Sequence, residues 1–349
     1  MSKNKQILMI GPDSKGGITS VIRMYLDNGL INYVDFLPSY KGRSFVFNIC
    51  YYMFFLVKYI FILAFNRDIK IVHIHFSMRG SFLRKLFVLN IAKLFNKKTI
   101  FHSHLPQNDI LFGADSVKLI NKLIKNTLNK PDLLLVLSNN WKKALETKCS
   151  NSNISVLYNP VKIRPIEQKN NDQTVNVLFM GRVEARKGIY DLVESAKFIS
   201  NPYIKILVYG DGEVEKARKL VSDFNLDEKI QILGWISGED IDKAYRNANI
   251  VVLPSYAEGL PMTLLEAAAY SLPIISTPVG GIPDIVTDGI NGYLISQGDY
   301  RTLAEKIDLL ANNEHLRTSM GQKSYEIACE KFDISVIIDN LTVFYKALL

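Results

Sequence analysis

The feature that most constrains the fold is a repeated alternation of short apolar segments with longer amphipathic ones, found in both halves of the chain. Runs such as 175–180 and 250–253 have the length and composition of strands buried on both faces. Each is followed by a turn containing Gly or Pro and then by apolar residues at helical spacing. Strands that alternate with helices indicate parallel sheets covered by helices. The predicted fold class is therefore α/β, with two doubly wound Rossmann-like domains.

The length and composition agree with two packed domains. The chain has 349 residues, of which 48% are hydrophobic and 22% charged. A polar stretch, EQKNNDQ at 167–173, separates the alternation of the first half from that of the second. The three cysteines, Cys50, Cys149 and Cys329, lack the spacing of a metal site, which favours a reducing, cytoplasmic location. The apolar run near the N-terminus is too short for a signal peptide.

Basic residues are concentrated in the first half. Residues 1–165 contain 24 Lys and Arg against 8 Asp and Glu, whereas residues 166–349 contain 18 against 26. The net charges are therefore +16 and −8, within a chain of net charge +8. A basic half can attract nucleic acid, an anionic membrane surface or a phosphorylated substrate. We expect two domains with different partners.

Two helical segments of the first half are candidates for contact with a membrane. Residues 45–65 are nearly all apolar, with Lys58 as the only charge, and a bilayer-spanning helix needs about 20 such residues. A central lysine costs roughly 2.5–3.5 kcal/mol on insertion. We therefore expect a helix that is buried or lies at a membrane interface, with a true span as the alternative. Residues 78–98 form a basic amphipathic helix that suits anionic lipid or solvent equally.

Two glutamates, Glu258 and Glu266, follow the strand predicted at 250–253. Glu258 stands in a loop, and Glu266 lies eight residues further on, inside a predicted helix. The N-terminus of that helix offers unpaired N–H groups and a positive dipole end, which suit a phosphate or a polarised hydroxyl. The first carboxylate can accept hydrogen bonds from sugar hydroxyls, and the second could reach a ribose. The alternative is an ordinary strand–loop–helix in which Glu258 caps the helix and Glu266 is solvated.

The Glu-x7-Glu spacing with Gly-Leu-Pro after the first glutamate, together with GRVEARKG at 181–188 and PVGG at 278–281, resembles the retaining glycosyltransferases of family 4. The resemblance is to members of the capsular, exopolysaccharide and O-antigen type, and it covers essentially the whole chain. It implies the GT-B fold, in which two doubly wound domains face each other across a cleft. It also implies that the last helix returns to the first domain. The predicted domains are 1–163 with 333–349 on the acceptor side, and 164–332 on the nucleotide-sugar side.

The resemblance assigns roles to the residues around the two glutamates. Glu258 would face the donor sugar, and Glu266 would bind the ribose of the nucleotide. The loop between them would contribute further donor contacts through Gly259, Leu260 and Pro261.

The resemblance also implies which residues bind the donor diphosphate and the nucleotide base. Arg182 and Lys187 would hold the diphosphate, with Arg186 as the alternative to one of them. An arginine and a lysine suit this task, because the planar guanidinium can donate two parallel hydrogen bonds to phosphate oxygens and the ammonium adds a compact positive charge. Trp235 and Ile236, after the strand predicted at 229–233, are candidates for contact with the nucleotide base.

In the first half, Gly16 and Gly17 follow the first predicted strand and allow backbone to approach a ligand. The segment is neither a P-loop nor G-x-G-x-x-G. The resemblance implies that this glycine pair lies beside the donor diphosphate and the acceptor. It also implies a histidine at the end of the strand predicted at 99–104, near the donor sugar. His104 is the better match, and His102 is the alternative.

No metal site is predicted. His73 and His75 are expected to be structural, because no third ligand is evident near them in the sequence. Asp240 and Asp242 are expected on a solvated helix face. We expect neither a metal nor a cofactor, only a nucleotide-sugar substrate.

Together these features predict a retaining, metal-independent hexosyltransferase of surface polysaccharide assembly. The donor is expected to be a UDP-sugar, and the acceptor a polyprenyl-diphosphate-linked saccharide at an anionic membrane surface. Cationic side chains and helix N-termini would stabilise the leaving diphosphate. The protein is expected to be cytoplasmic and peripheral to the inner face of the cell membrane. The alternatives are an epimerase or phosphorylase of the same fold, and a non-enzymatic basic binding protein; no nucleic-acid partner is expected, because the basic face lacks interleaved aromatics.

Overall fold

The computed structural model describes residues 5–14, 16–77, 80–105, 118–151, 153–165 and 173–349. The chain divides into two compact units, 1–160 with 334–349 and 161–333. The first division falls three residues before the predicted 163/164 boundary, because the Val161 N–H donates to the Phe332 carbonyl at 2.8 Å and Val161 forms a parallel bridge with Asp333. The second falls one residue after the predicted 332/333 boundary. The predicted linker at 167–173 lies outside the described residues except for its last position.

The described part of the first unit forms a parallel sheet in the order β2-β1-β3-β4-β5-β6. Its strands are β1 Ile7–Pro12, β2 Val34–Tyr40, β3 Ile71–Phe76, β4 Lys98–Ser103, β5 Leu133–Val136 and β6 Ile154–Val156. Its first five helices are α1 Gly17–Asp27, α2 Phe45–Phe65, α3 Gly80–Leu94, α4 Lys118–Leu128 and α5 Asn139–Glu146. β3 and β5 are buried at every residue, as parallel strands covered on both faces must be.

The helix α2 covers the predicted segment, and one narrow side of it packs on the first unit. Three of its tyrosine hydroxyls donate to backbone carbonyls at 2.6–3.1 Å: Tyr51 to Pro38, Tyr52 to Arg84 and Tyr59 to Val88. By length and composition it is a helix that could cross a bilayer, and only 17% of its most apolar window is buried. The expectation of a helix buried inside the first domain is therefore wrong. The position at a membrane interface, and its alternative of a true span, stay predictions.

The helix α3 does not present its basic residues as the sequence pattern implied. Lys85 is buried and donates to the Ser39 hydroxyl. Lys93 pairs with Asp132 at 2.5 Å, and Lys97 donates to a backbone carbonyl at 2.8 Å. Lys85 and Lys93 of α3, and Lys97 beyond its end at Leu94, are therefore bonded within the fold, whereas Lys98 is exposed. The choice between lipid and solvent for the remaining basic residues stays a prediction.

The second unit, as far as it is described, forms a parallel sheet in the order β12-β11-β10-β7-β8-β9. Its strands are β7 Val175–Met180, β8 Ile204–Tyr209, β9 Ile230–Gly234, β10 Ile250–Leu253, β11 Ile274–Ser276 and β12 Gly292–Leu294. Its helices are α6 Ile189–Ser195, α7 Val214–Asp223, α8 Glu239–Asn247, α9 Met262–Ala269, α10 Ile282–Ile285, α11 Tyr300–Asn312 and α12 Glu314–Lys331. The last helix, α13 Ile334–Leu348, belongs to the first unit, where Tyr345 contacts His73.

Both sheets are doubly wound, which confirms the predicted fold class. In the second unit the chain builds outward from β7 to β9 and then returns to place β10 on the other side of β7. In the first unit the order reverses in the same way at β1, which lies between β2 and β3. At such a reversal, the loops from the carboxyl ends of the two neighbouring strands run in opposite directions. They leave a crevice between them, and α/β proteins bind ligands there.

Candidate active site

The second unit brings Lys187 and Glu258 together at the point where its strand order reverses. Lys187 ends a 3-10 turn after β7, and Glu258 lies in the loop after the neighbouring strand β10. Lys187 Nζ lies 2.6 Å from Glu258 Oε1, and the Ser255 hydroxyl donates to the same oxygen at 2.8 Å. Glu258 is only 5% exposed, so this charge-assisted bond is shielded from water. The alternative that Glu258 caps α9 is wrong, because no side chain caps that helix.

Glycines bring the loops of this site into backbone contact. A Cβ on Gly188 would lie 2.0 Å from the Pro254 carbonyl oxygen, and one on Gly280 would lie 1.9 Å from that of Glu258. Both glycines have positive φ, 75° and 56°, which disfavours any other residue. The loops after β7, β10 and β11 therefore hold each other in one arrangement around Glu258.

The segment Gly259, Leu260 and Pro261 connects Glu258 to α9. The Gly281 N–H donates to the Gly259 carbonyl at 2.6 Å, while Leu260 and Pro261 are buried. Pro261 is the N-cap of α9, so the first N–H groups of this eight-residue helix begin just beyond the glutamate loop. These N–H groups and the helix dipole add positive potential beside Glu258.

The two arginines of GRVEARKG are placed differently. The side chain of Arg182 is 59% exposed, and its Nε lies 3.3 Å from Glu184. Arg186 pairs with the same glutamate at 2.8 Å and also donates to the Ala257 carbonyl at 3.0 Å. Arg186 is thus tied to the residue next to Glu258. The preference for Arg182 over Arg186 as the diphosphate ligand stays a prediction.

Glu266 lies on α9 and is half-buried, so the alternative of a solvated Glu266 is wrong. Burial raises the pKa of Glu266, partly offset by a hydrogen bond that Tyr245 donates to Oε2 at 2.8 Å and by the charge of Arg164. Thr263, one turn earlier on α9, donates to the Met180 carbonyl at 3.0 Å. This bond fixes the first turn of α9 against the end of β7.

The other predicted positions of this unit lie further along its sheet. Trp235 and Ile236 follow β9, two strands from β7 in the sheet order. Trp235 is 61% exposed and Ile236 is half-buried. Asp242, expected on a solvated face, instead pairs with Arg246 at 2.5 Å and Arg164 at 2.7 Å.

In the first unit, Gly16 and Gly17 lie in the loop that leaves β1 and begins α1. Gly16 has φ 143°, and a Cβ on either glycine would meet no atom of the described residues within 4 Å. The loop is therefore open on this side. Asp13, at its base, pairs with Lys41 at 2.6 Å and with Arg23 at 3.1 Å, and these bonds hold the pKa of Asp13 below its usual range.

His73, His75, His102 and His104, four of the five histidines of the chain, form one group on β3 and β4, which we call the histidine cluster. His75 Nδ1 lies 2.9 Å from His104 Nε2, and His73 Nε2 lies 3.3 Å from His102 Nδ1. His73 Nδ1 also lies 2.7 Å from the Tyr345 hydroxyl of α13. Of the two candidates for the site, His102 is fully buried and His104 is half-buried, which favours His104 as the one that can reach a ligand.

The histidine cluster changes one expectation about metals. A ring nitrogen of His102 lies within 4.8 Å of those of His73 and His75, so the expectation that no third ligand lies near them is wrong. Zinc holds nitrogen ligands roughly 3.4 Å apart when its bonds are about 2.0–2.1 Å. These rings instead stack with centroids 4.4–5.4 Å apart and hydrogen-bond to one another. We assign no metal to the cluster.

Burial keeps the histidine cluster uncharged. It lowers the pKa of His73 and of His104 to about 3, and those of His75 and His102 well below the usual value. Neutral imidazoles can bond to one another without repulsion.

Sequence reasoning missed three side chains that shape these sites. Ser255 lies three residues before Glu258 in the same loop. A hydroxyl at that spacing could have indicated a hydrogen bond to the Glu258 carboxylate. The contacts of Tyr245 with Glu266 and of His75 with His104 join different elements, and no local pattern reports them.

Comparison with known proteins finds relatives in sequence and in fold. Residues 162–327 match the family model described as glycosyl transferases group 1. The chain is 30% identical over 246 residues to the capsular polysaccharide biosynthesis glycosyltransferase CapM of Staphylococcus aureus, an alignment that covers 69% of this chain and 62% of CapM. It is 29% identical over 327 residues to a glycosyltransferase of Methanocaldococcus jannaschii, covering 92% of this chain and 86% of the relative. The crystal structure of Anabaena HepE in complex with UDP superposes with a TM-score of 0.80 at 15% identity, over 98% of this chain and 100% of HepE.

The second unit thus resembles the group 1 glycosyltransferases in sequence, and the chain has the GT-B fold. The family match covers nearly all of the second unit, which contains Lys187, Glu258 and Glu266.

Proposed function

We propose that this protein is a retaining, metal-independent hexosyltransferase of polysaccharide assembly that uses a UDP-sugar donor. The observation that carries the proposal is the shielded Lys187–Glu258 pair at the reversal of the strand order. The name of CapM, a capsular polysaccharide glycosyltransferase, supports the pathway, and the UDP complex of HepE supports the nucleotide.

The chemical problem is the negative charge that develops on the diphosphate as its bond to the anomeric carbon breaks. Lys187 has three N–H donors, so it can keep its bond to Glu258 and still donate to a phosphate oxygen. Arg182, with Arg186 as the alternative, and the N-terminus of α9 add positive potential from fixed positions. No metal is needed for this task.

The sugar and the nucleoside are assigned to the two glutamates. Glu258 accepts hydrogen bonds from sugar hydroxyls, and its charge stabilises an oxocarbenium-like centre. Glu266 accepts from the ribose hydroxyls, and Tyr245 fixes the orientation of its carboxylate. The exposed indole of Trp235 offers a face for the base.

Retention is proposed without a second carboxylate. Retaining glycoside hydrolases use two carboxyl groups about 5 Å apart. Here the donor phosphate takes the acceptor proton while the acceptor oxygen attacks from the same face. Within the first unit, Gly16, Gly17 and His104 are assigned contacts with the substrates.

The acceptor is proposed to be a polyprenyl-diphosphate-linked saccharide at a membrane surface. Ten large apolar side chains of α2 are exposed, most of all Phe45, Val46, Val57 and Phe65. An apolar surface of this extent marks an interaction site, and insertion into the headgroup region would cover it. Exposed cations at both ends and within the helix suit anionic lipid: Arg43, Lys58 and Arg67.

A donor screen tests the enzymatic proposal. Purified protein is incubated with UDP-, GDP- or ADP-hexoses and a polyprenyl-linked or model saccharide, with and without a chelator. We expect UDP release and a product of unchanged anomeric configuration by NMR, unaffected by the chelator and abolished in Glu258→Gln. An epimerised sugar nucleotide without transfer, or sugar phosphate formed only with added phosphate, would identify the epimerase or phosphorylase alternative instead.

Vesicle flotation tests the membrane proposal. Because the contact is mainly apolar, we expect binding to anionic vesicles to persist at high salt, where charge attraction is screened. The double variant Phe54→Ser, Phe61→Ser should lose binding, since both side chains are exposed on α2. Tyr203→Ser, an exposed aromatic of the second unit, is the matched control. Release of the wild-type protein by salt alone would contradict insertion of α2.

A further inference from the structure

The ring of His104 is held more firmly than a half-buried side chain at a strand end requires. Its Nε2 lies 2.9 Å from His75 Nδ1, and its ring lies 4.4 Å, centroid to centroid, from that of His102. The His104 backbone N–H donates to the Phe76 carbonyl at 2.9 Å. His75 is fully buried and stacks on His73 at 4.4 Å. The orientation of His104 is thus set by its neighbours on β3 and β4.

The hydrogen bonds of His75 decide where its proton lies. A neutral imidazole has one N–H and one bare nitrogen. His75 Nε2 is buried without a hydrogen-bond partner among the described residues. Buried N–H groups without an acceptor are rarer than acceptors without a donor, so Nε2 is the bare nitrogen and Nδ1 carries the proton. His75 then donates to His104 Nε2, and His104 must carry its own proton on Nδ1.

The pair His73 and His102 independently indicates the same tautomer, with the proton on Nδ1. His102 Nε2 is also buried without a partner in the part of the chain that the structure describes. The same argument places the His102 proton on Nδ1, which donates to His73 Nε2 at 3.3 Å. His73 then donates from Nδ1 to the Tyr345 oxygen at 2.7 Å. All four rings adopt one tautomer without conflict.

We propose that His75 is a positioning residue that holds His104 in the neutral Nδ1–H tautomer, so that His104 offers a hydrogen-bond donor to an oxygen of the bound sugar or acceptor. This inference rests on the proposed function, since it takes His104 as a residue that contacts substrate. It also defines what His104 does not do: with its Nε2 lone pair engaged by His75, the ring has no free base for the acceptor proton. That is consistent with the proposed transfer of this proton to the donor phosphate.

The tautomer is measured directly by long-range ¹H–¹⁵N NMR of the histidine rings in the full chain, with signals assigned by single-histidine variants. We expect His104 to show a protonated Nδ1 and a hydrogen-bonded, unprotonated Nε2. A protonated Nε2 on His104 would overturn the proposal. So would stoichiometric binding of added Zn²⁺ that perturbs His75 Nε2, because that nitrogen would then be a metal ligand. Neither result depends on transferase activity, so this measurement separates the inference from the proposed function.

Kinetics test whether the positioning matters. His75→Leu removes the donor, whereas His75→Asn places an amide N–H near the position of Nδ1. His73→Leu is the matched control, because His73 is equally buried on the same strand and does not bond to His104. We expect His75→Leu to lower kcat by about 10–100-fold with little change in KM, as for residues that orient a contacting group. His75→Asn should recover most of kcat, and His73→Leu should keep it.

Equal losses of kcat in His75→Leu and His73→Leu would show that packing alone is at stake and would overturn the positioning role. If His75→Leu does not fold by circular dichroism, the comparison of His75→Asn with wild type decides, since a packing defect would not preserve kcat. If wild-type protein transfers no sugar, the proposed function fails, while the NMR result still decides the tautomer.

Discussion

Both units are doubly wound, with different strand orders, and they build the crevice at the strand-order reversal from different chemistry. In the second unit, a buried ion pair and backbone contacts hold the loops, with Lys187 2.6 Å from Glu258. In the first unit, the loop after β1 is open around Gly16 and Gly17, and the neighbouring strands contribute uncharged imidazoles. The fold thus sets where ligands approach, and the residues after each strand decide what approaches.

This difference suits the two proposed substrates. A nucleotide diphosphate has fixed charges, and a preorganised charged crevice stabilises them without rearrangement. An acceptor hydroxyl is neutral and needs one oriented donor. Substitutions in the two units should therefore differ in their effects on stability and on transfer.

The largest effect is expected from breaking the Lys187–Glu258 pair. Lys187→Met leaves Glu258 buried and unpaired, so we expect a loss of about 3–5 kcal/mol in the free energy of unfolding by urea. Transfer should fall by about 10²–10³-fold or more, since a charged donor to the diphosphate is lost. Adding Glu258→Gln should restore much of the stability and none of the activity. Additive stability losses in the double variant would show that the pair does not couple.

Gly280→Ala should have the next largest effect. Its Cβ would lie 1.9 Å from the Glu258 carbonyl oxygen, at a φ of 56°. We expect a cost of about 2–4 kcal/mol from strain and overpacking, with a clear loss of transfer. Gly289→Ala, with φ 73° and no atom within 4 Å of the added Cβ, is the control for strain alone and should keep its activity. Equal unfolding free energies for the two variants would contradict the close loop packing.

A smaller effect is expected from Glu266→Gln, and it should depend on pH. Burial raises the pKa of Glu266 above its ordinary value of 4.5, so the unfolded chain ionises first as pH rises. Glu266 therefore does not lower the free energy of unfolding at pH values below 4.5. As pH rises from 4.5 to the raised pKa of the folded state, Glu266 lowers the free energy of unfolding by an increasing amount. The variant should gain stability relative to wild type between pH 4 and pH 7 in urea unfolding. A difference that is the same at both pH values would exclude a raised pKa.

The smallest effect is expected in the first unit, from Asp13→Asn. Asp13 forms partly exposed pairs with Lys41 and Arg23, and such pairs contribute about 0.2–1 kcal/mol. Because the folded pKa of Asp13 is lowered, its stabilisation is present above the ordinary value of 3.8 and is lost as pH falls through the lowered pKa. Salt should remove the difference between Asp13→Asn and wild type. A loss that matched Lys187→Met would erase the contrast between the units.

Much of this architecture could be predicted from local sequence. The strand Val175–Met180 and the helix Phe45–Phe65 have the predicted limits, because hydrophobic length and period are local properties. Lys187 and Glu258 were selected by motif, and each lies in a loop beyond a predicted strand. The boundary predicted at 163/164 lies three residues from the division at 160/161, where the Val161 N–H bonds to the Phe332 carbonyl of the second unit.

Predictions that depended on partners from elsewhere in the chain fared worse. The sequence of α3 shows Lys85 as one of several surface cations, and the fold buries it against Ser39. No third ligand was expected near His73 and His75, but β4 pairs with β3 and brings His102 into register with His75. Exposure of α2 likewise depends on how little of the first unit covers it.

Local sequence is enough to specify the alternation of strands and helices, the positions of the loops that follow the strands, and the charged residues that those loops contain. The contacts of Lys187 with Glu258, of Tyr245 with Glu266 and among the four histidines arise only in the folded chain. The physical reason is that hydrophobic period acts between residues a few positions apart. Pairing across a parallel sheet joins residues separated by dozens of positions, and those contacts are specified only when the whole sheet has formed.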